Sequence, residues 1–170
     1  IWKFMFNYDL GILNYLLNVI GLESINWLGT TTTAFWSVVL VDTWQWTPFT
    51  TLIIKAGLDS VDPTPQEAAY VDGATRFQIF RYVTFPTIAP IFTVALLFRT
   101  LDAFKAFDII YVVTRGGPGG STYVLGYNIW KTAFYQNQLG LSAAMSVIMI
   151  IIATIFALIL VKIMKGQMER

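Results

Sequence analysis

The segment that decides the fold class is LGLSAAMSVIMIIIATIFALILV, residues 139–161. Between Val147 and Val161 one hydroxyl residue, Thr154, interrupts an otherwise apolar run. A helix needs roughly 20 mostly apolar residues to cross the hydrocarbon core of a bilayer. The segment therefore predicts a transmembrane helix over residues 139–161.

Two further segments, at about residues 34–58 and 87–114, are long enough to span the bilayer. Residues 10–20 are apolar but shorter, which is typical of the end of another span or of an interfacial helix. We therefore expect an all-α, polytopic transmembrane bundle with about three full spans, in which residues 1–170 form part of one transmembrane domain. The chain opens at Ile1 without a start Met, so we expect preceding spans, partner subunits, or both.

The composition disfavours several classes of protein. Hydrophobic residues make up 56% of the chain and charged residues 12%, against about 25% charged in a soluble domain, and the mean hydropathy is +0.62. A net charge of +1 provides no electrostatic surface for nucleic acid. The chain has no Cys and no His, which removes thiolate chemistry and the commonest metal ligand. We expect no metal and no catalytic site, and an enzyme based on Asp and Glu remains a disfavoured alternative.

Lysine and arginine are unequally distributed between the two predicted faces of the membrane. One face would carry Lys55, Arg76, Arg81, Lys162, Lys165 and Arg170, and the other Lys3, Arg115 and Lys131. Because positive residues favour the cytoplasmic side, we expect residues 59–86 and the C-terminus in the cytoplasm.

A polar loop at residues 59–86 separates the first two predicted spans. Its Thr64-Pro65-Gln66-Glu67 sequence has the pattern of a capping box, which predicts a helix from Pro65 to about Asp72. An amphipathic connector that lies on the lipid headgroups is the alternative to a protein-docking element.

The second half of this loop predicts a turn and another short helix. Gly73 allows a turn that a side chain would obstruct, and Thr75 can cap a helix that continues to Tyr82. We expect Pro86 and Pro90 to end that helix and to mark entry into the next span.

Glu67-Ala68-Ala69 is followed at fixed spacing by Gly73, Val83, Phe85 and Pro86. This spacing resembles the cytoplasmic coupling loop, or EAA motif, of bacterial binding-protein-dependent importer permeases, which are driven by an ATP-binding-cassette (ABC) ATPase. Val83 stands where that family typically has Ile, and Phe85 where it has Leu. Both exchanges keep an apolar side chain.

Further motifs extend the resemblance from about Trp27 to the C-terminus. Together they are similar to the C-terminal portion of permeases of the carbohydrate-uptake branch, of the maltose and glycerol-phosphate type. The motifs are Glu67-Ala68-Ala69-x-x-Asp72-Gly73-Ala74, Phe80-Arg81, Phe98-Arg99, Phe104-Lys105-Ala106-Phe107-Asp108 and Thr114-x-Gly116-Gly117-Pro118.

The resemblance implies a transport subunit rather than an enzyme, in the lipid of a bacterial inner membrane. In that family the coupling loop docks into a cleft of the ATPase, which would carry ATP and Mg, so this chain would need no cofactor of its own. The implied protein partners are a second permease subunit, ATPase subunits and an extracytoplasmic substrate-binding protein. The implied ATPase-docking residues are Glu67, Ala68, Ala69, Asp72, Gly73 and Pro86.

Four charged residues recur every three positions in the second predicted span, namely Arg99, Asp102, Lys105 and Asp108. Charges inside a membrane commonly face an interior or a cavity. They also could neutralise one another as the pairs Arg99–Asp102 and Lys105–Asp108. Because the stripe drifts by about 60° at each step, all four cannot face one pathway.

Aromatic and polar residues are the other candidates for a sugar pathway, since a sugar presents hydroxyl groups and apolar C–H faces. An interfacial aromatic belt is the alternative for Trp44, Trp46 and Trp130. Tyr127 and Asn128 precede the last span in a segment that we expect to be irregular, as in a cavity lining. The predicted pathway residues are Asp42, Gln45, Trp46, Asp102, Lys105, Asp108, Tyr127 and Asn128.

The glycine-rich segment at residues 116–122 lacks the Gly-Lys-Ser/Thr ending of a phosphate-binding loop. We expect a flexible extracytoplasmic turn there, near where the substrate-binding protein would dock. Three functional alternatives remain open: a permease for another solute such as glycerol phosphate, a passive channel, and a membrane-embedded enzyme that uses Asp42, Asp102 or Asp108 as acid–base groups.

Overall fold

A computed structural model describes the backbone of residues 1–168 and the side chains of residues 1–166. Within that range the chain has eight α-helices, three π-helical turns and no strand, which confirms the all-α prediction. The α-helices are α1 (Trp2–Met5), α2 (Ile12–Val19), α3 (Thr31–Asp59), α4 (Thr64–Val71), α5 (Arg76–Ile79), α6 (Phe85–Lys105), α7 (Leu125–Trp130) and α8 (Leu139–Met168). The π-helical turns are Phe80–Thr84, Ile110–Thr114 and Lys131–Tyr135. Arg170, which the charge count used, lies outside the described residues.

Two helical stretches of the described chain, Arg76–Thr114 and Leu139–Gly166, are long and apolar enough to cross a membrane. The latter begins at the predicted residue. Helix α3 has 29 residues, but polar side chains such as Asp42 and Gln45 make it less apolar than α8. The span predicted at residues 34–58 is therefore a helix of sufficient length, and its crossing of the membrane stays a prediction.

The N-terminal segment is held together by Asn14, which is 2% exposed. Its Nδ2 donates to the carbonyl oxygens of Tyr8 and Ile25, both at 3.0 Å. Its Oδ1 accepts from the Ile25 N–H at 3.1 Å and from the Trp27 indole N–H at 2.8 Å. The apolar stretch at residues 10–20 is thus a short helix, α2, tied into a local hydrogen-bonded unit, and not the end of a longer span.

The span predicted at residues 87–114 lies within the stretch Arg76–Thr114, but its helix is not continuous. Helix α6 ends at Lys105, and helical structure resumes only after Phe107. Gly126 of α7 lies directly against this break, since a Cβ atom at position 126 would be 2.9 Å from the Ala106 carbonyl oxygen. Close backbone packing of this kind requires glycine.

The prediction that Pro86 and Pro90 end the preceding helix is also wrong, because both lie within α6. The π-helical turn Phe80–Thr84 joins α5 to α6, and the Phe85 N–H donates to the Phe80 carbonyl five residues before it. This wider turn places Pro86 in the first turn of α6, where its missing N–H is tolerated.

The chain divides into two compact units. The first comprises residues 1–45 and 103–150, and Phe6, Val41 and Val113 form its buried apolar core. The second comprises residues 46–102 and the C-terminal segment from residue 151. Within this second unit α3 packs closely on α6, because a Cβ atom at Gly57 would lie 2.8 Å from Ile91 Cγ2.

Candidate functional site

Asp62, rather than Thr64, organises the start of α4. The Asp62 carboxylate accepts from the Thr64 N–H at 2.9 Å and from the Thr64 hydroxyl at 2.7 Å. These hydrogen bonds hold the pKa of Asp62 below its ordinary value, the backbone bond being the larger cause. The predicted capping box is therefore wrong: Thr64 is the first residue of the helix, and its hydroxyl is a donor to Asp62.

Gly73 closes the C-terminal end of α4 with a left-handed backbone, at φ 82°. The Gly73 N–H donates to the Tyr70 carbonyl at 3.1 Å, and the Ala74 N–H donates to the Ala69 carbonyl at 3.0 Å. Bonds of this type satisfy the last carbonyls of a helix, and glycine is the usual residue at such a position. The predicted turn at Gly73 is confirmed.

The short helix α5 begins as predicted. Thr75 is its N-cap, and the Gln78 N–H donates to the Thr75 hydroxyl oxygen at 3.4 Å. The Gln78 side-chain oxygen accepts in return from the Thr75 N–H at 2.8 Å. This reciprocal capping box fixes the α5 end of the turn between α4 and α5.

Most of the predicted ATPase-docking residues lie together on this α4–turn–α5 unit. Glu67 is in the first turn of α4 and is exposed, as are Ala68, Asp72 and Gly73, whereas Ala69 is half-buried. An open groove of about 400 Å³ lies beside Ala69 and Gly73, between α4 and the following helical segment. Pro86 is exposed in the first turn of α6, beyond the π-helical turn. The arrangement presents two carboxylates, small side chains and open space to the surroundings.

Arg99 brings together two of the predicted pathway residues, Trp46 and Asp102. Its guanidinium carbon lies 5.5 Å from the centroid of the Trp46 ring, and its Nη1 lies 4.0 Å from Asp102 Oδ2. The predicted Arg99–Asp102 pair is therefore present. Sequence reasoning did not place Arg99 among the site residues, because the contact with Trp46 joins two helices distant in sequence.

The other charged pathway residues are arranged differently from the prediction. Lys105 ends α6 and Asp108 follows the helix break, and both are exposed. No ion pair joins them within residues 1–168, since the break disrupts the helical spacing that would bring them together. On α3, Asp42 is half-buried and Gln45 is exposed. Over the same described range no three Asp or Glu side chains come together as metal ligands.

Tyr127 and Asn128 lie in helix α7, so the prediction of an irregular segment around them is wrong. Tyr127 is 5% exposed, and its hydroxyl donates to the Arg115 carbonyl at 2.9 Å. Its ring stacks with Phe107 at a centroid distance of 6.2 Å, and Trp130 lies 5.3 Å from Phe107. Tyr127 therefore stabilises an aromatic cluster, and Asn128 is half-buried beside it in sequence.

The glycine-rich segment is a hydrogen-bonded loop. The Thr114 and Thr122 hydroxyls lie 2.7 Å apart, and Thr122 Oγ1 donates to the Gly117 carbonyl at 3.0 Å. Beyond the loop, Lys131 Nζ donates to the Tyr123 hydroxyl, and this bond raises the pKa of Lys131. Hydrogen bonds thus hold the segment at both ends, whereas the sequence predicted a flexible turn.

Comparison with known proteins identifies the family. A family model described as a binding-protein-dependent transport system inner membrane component matches residues 2–170. The chain is 39% identical over 172 residues to the trehalose/maltose transport system permease protein MalF of Thermococcus litoralis, covering 99% of this chain and 56% of that protein. It is 35% identical over 167 residues to the sulfoquinovosyl glycerol transport system permease protein SmoG of Agrobacterium fabrum, covering 98% of this chain and 54% of that protein.

A solved structure has the same fold. It is a bacterial alginate ABC transporter in complex with an alginate pentasaccharide-bound periplasmic protein, with a TM-score of 0.81 and 23% identity. The likeness covers 93% of this chain and 55% of that one, so the chain spans little more than half the length of these relatives. The family match and the identities to the two permeases show that this chain belongs to the binding-protein-dependent transport system inner membrane components.

Proposed function

We propose that this chain is part of the permease subunit of an ATP-driven importer, which moves a sugar or oligosaccharide across a bacterial inner membrane by alternating access. The observation that carries the proposal is the exposed α4–turn–α5 unit, with Glu67 and Gly73 at its surface, in a chain of this family. The unit would be the contact with a separate ATPase, which would bind ATP and Mg.

The construction of the unit supports a mechanical role. Asp62 fixes the start of α4, the Gly73 turn fixes its end, and the Thr75 capping box fixes the next helix. A rigid element seated in a cleft moves as a body when the cleft opens or closes. ATP binding to the partner can then bias inward- and outward-facing states through the difference in contact energy between them.

The names of the relatives support a carbohydrate substrate. The two similar permeases are named for trehalose or maltose and for sulfoquinovosyl glycerol, and the similar structure belongs to an alginate transporter. In this chain Trp46, held beside Arg99 and Asp102, combines an aromatic face with charged hydrogen-bonding groups. This combination suits a polyhydroxylated substrate better than a purely apolar one.

The proposed complex contains a second permease subunit, ATPase subunits and an extracytoplasmic binding protein. We place the loop at residues 59–86 and the C-terminus on the cytoplasmic side, on the distribution of Lys and Arg. The last residues of this loop, from Phe80 on, belong to the stretch Arg76–Thr114 and would enter the membrane. Much of α8 is exposed, including Ile150 and Leu158 at 60% and 63%, which is consistent with burial by lipid or by a second permease.

The alternatives receive less support. The family is one of transport components, which argues against an enzyme that uses Asp42, Asp102 or Asp108. Asp102 Oδ2 also lies 4.0 Å from Arg99 Nη1, so this carboxylate belongs to an ion pair. A permease for glycerol phosphate would differ from the proposed importer only in its substrate. A passive channel is a separate alternative, and uptake against a concentration gradient distinguishes an importer from it.

Two substitutions test the coupling role in the complete transporter. We expect Glu67→Lys or Gly73→Asp to leave membrane insertion unchanged and to uncouple ATP hydrolysis from uptake by at least tenfold, which corresponds to a loss of about 1.4 kcal/mol of contact energy. Purified complexes in liposomes would be assayed for sugar uptake per ATP hydrolysed. Glu23→Lys, the same charge reversal at an exposed site on the opposite predicted face, is the control. Normal uptake by both coupling-loop variants would refute the proposal.

A further inference from the structure

A row of exposed aromatic rings runs from the end of α5 into α6. Phe80, Phe85 and Phe92 follow one another with ring centroids 6.2 Å and 6.4 Å apart. Each of the three side chains is 39–51% exposed, although each belongs to a helical stretch that can cross a membrane. The rings therefore form one continuous apolar strip along the outside of that stretch.

Two arginines lie at the N-terminal end of this strip. Arg76 begins α5 and Arg81 lies in the π-helical turn, and both are exposed. The Arg81 guanidinium lies 5.9 Å from the centroid of the Tyr82 ring, and Phe77 next to Arg76 is 75% exposed. Neither arginine has an ion-pair partner within residues 1–168. The end of the strip thus carries two positive charges without a neutralising group.

We propose that this surface, comprising Arg76, Arg81 and the strip Phe80–Phe85–Phe92, binds an anionic phospholipid. The guanidinium groups would hold the headgroup phosphate, for which arginine has the donor geometry. The strip from Phe80 to Phe92 covers about 18 Å at 1.5 Å per residue, which is close to the depth of one leaflet. One end of the surface therefore fits the headgroup and the rest fits the acyl chains.

A protein partner fits this surface less well. An ATPase subunit outside the membrane could reach Arg76 and Arg81 but not Phe92, which lies well inside the span. A second permease packed on the strip would leave the two guanidinium groups unpaired unless it supplied acidic residues at the membrane surface. The proposed lipid site depends on the membrane-embedded fold and not on the transport function.

The test uses the complete transporter in lipid nanodiscs with photoactivatable phospholipids that carry the reactive group in an acyl chain. We expect a phosphatidylglycerol probe to label the peptide that contains Phe85 and Phe92 in preference to a phosphatidylcholine probe. One basic residue at an anionic surface contributes about 1 kcal/mol, so labelling by phosphatidylglycerol should fall about fivefold for each arginine removed in Arg76→Gln/Arg81→Gln.

Three controls keep the result interpretable. Arg76→Lys/Arg81→Lys retains both charges and should keep most of the labelling. Lys162→Gln/Lys165→Gln removes two exposed cations from the end of α8 and should leave the labelling of the strip unchanged. Size-exclusion chromatography of each variant confirms that the complex is folded.

Equal labelling by the two probes, or an unchanged preference in Arg76→Gln/Arg81→Gln, would overturn the lipid site. Loss of the ATPase subunit from that variant with unchanged labelling would also overturn it, and would assign the arginines to the ATPase contact. Because uptake is not the readout, these outcomes are separate from those that test the transport proposal.

Discussion

Glycine is required at position 73 because the backbone there is left-handed, and not because a side chain would clash with its neighbours. A Cβ atom at this position would meet no atom within 4 Å, but φ is 82°. An L-residue in the left-handed region costs about 1–2 kcal/mol. We expect Gly73→Ala to destabilise the α4–α5 turn by this amount and to weaken the association of the ATPase, measured by co-purification.

Gly140 provides the matched control for Gly73. It also has nothing within 4 Å of a built Cβ atom, but it lies in α8 with an ordinary helical backbone. Alanine is favoured over glycine inside a helix, so Gly140→Ala should be neutral or slightly stabilising. Identical behaviour of the two variants would contradict the role assigned to the left-handed turn.

The stabilisation that Asp62 gives to the start of α4 depends on pH only under acidic conditions. Its pKa is lowered in the folded chain, chiefly by the Thr64 N–H. The stabilisation is therefore fully present above the unfolded pKa of about 3.9 and is lost as the pH falls through the folded pKa. Amide protection of Thr64 should thus be constant from neutral pH down to about pH 4–5.

Two variants separate the charge of Asp62 from its hydrogen bonds. Asp62→Asn keeps an acceptor oxygen for Thr64 and should retain most of the protection of the Thr64 amide. Because Asn does not titrate, that protection should no longer be lost in acid. Asp62→Ala removes the acceptor and should expose the Thr64 amide at every pH. Hydrogen exchange followed by mass spectrometry measures both, and full protection in Asp62→Ala would show that another group starts the helix.

The accuracy of the sequence predictions at this scale depends on how local each interaction is. Thr75 and Gln78 lie within one helical turn, so the sequence predicted Thr75 as the cap, and the structure adds the return bond from Gln78. The capping box predicted at Thr64 was wrong, because the Thr64 hydroxyl donates to Asp62. The Arg99–Trp46 contact joins two helices and leaves no local signal.

At the scale of helices, the packing of α3 on α6 depends on Gly57. A Cβ atom there would lie 2.8 Å from Ile91 Cγ2 and 2.9 Å from its Cδ1. Overpacking of this kind costs about 1–3 kcal/mol. We expect Gly57→Val to lower the thermal unfolding temperature in detergent. Adding Ile91→Ala should restore part of the loss, and an additive effect of the two substitutions would contradict close packing at this point.

The long helices were predictable from composition, whereas the interruptions were not. Helix α8 begins at Leu139 as expected because its apolar run is long and uninterrupted. At the break after Lys105 the Ala106 carbonyl lies against Gly126, which belongs to a different helix. Tyr127 of helix α7 likewise packs against Phe107, which lies at this break. Tertiary contacts of this kind override local preferences.

At the scale of the whole molecule, the absence of Cys from these 170 residues allows a direct test of their topology. Single cysteines at the exposed positions Ser60, Lys165, Gln136 and Glu23 would be probed in intact cells with a membrane-impermeant maleimide. We expect labelling of Gln136→Cys and Glu23→Cys from outside. Ser60→Cys and Lys165→Cys should react only after permeabilisation.

The Glu23 position decides whether α3 crosses the membrane. If residues 34–58 are a span, Glu23→Cys and Ser60→Cys lie on opposite sides. Labelling of both positions only after permeabilisation would show that α3 does not cross. The result would also fix the side on which the coupling loop lies, independently of any transport assay.

The hydrogen bonds of Asn14 have a consequence for the biogenesis of the chain. All their partners lie between Tyr8 and Trp27, so every residue of the cluster has been synthesised before the first residue of α3. Contacts this close in sequence form quickly, since little chain entropy is lost in closing such short loops. The hydrogen bonds of this segment can therefore form at the ribosome–translocon junction ahead of the helices that follow it, whereas burial of Phe6 waits for Val41 and Val113.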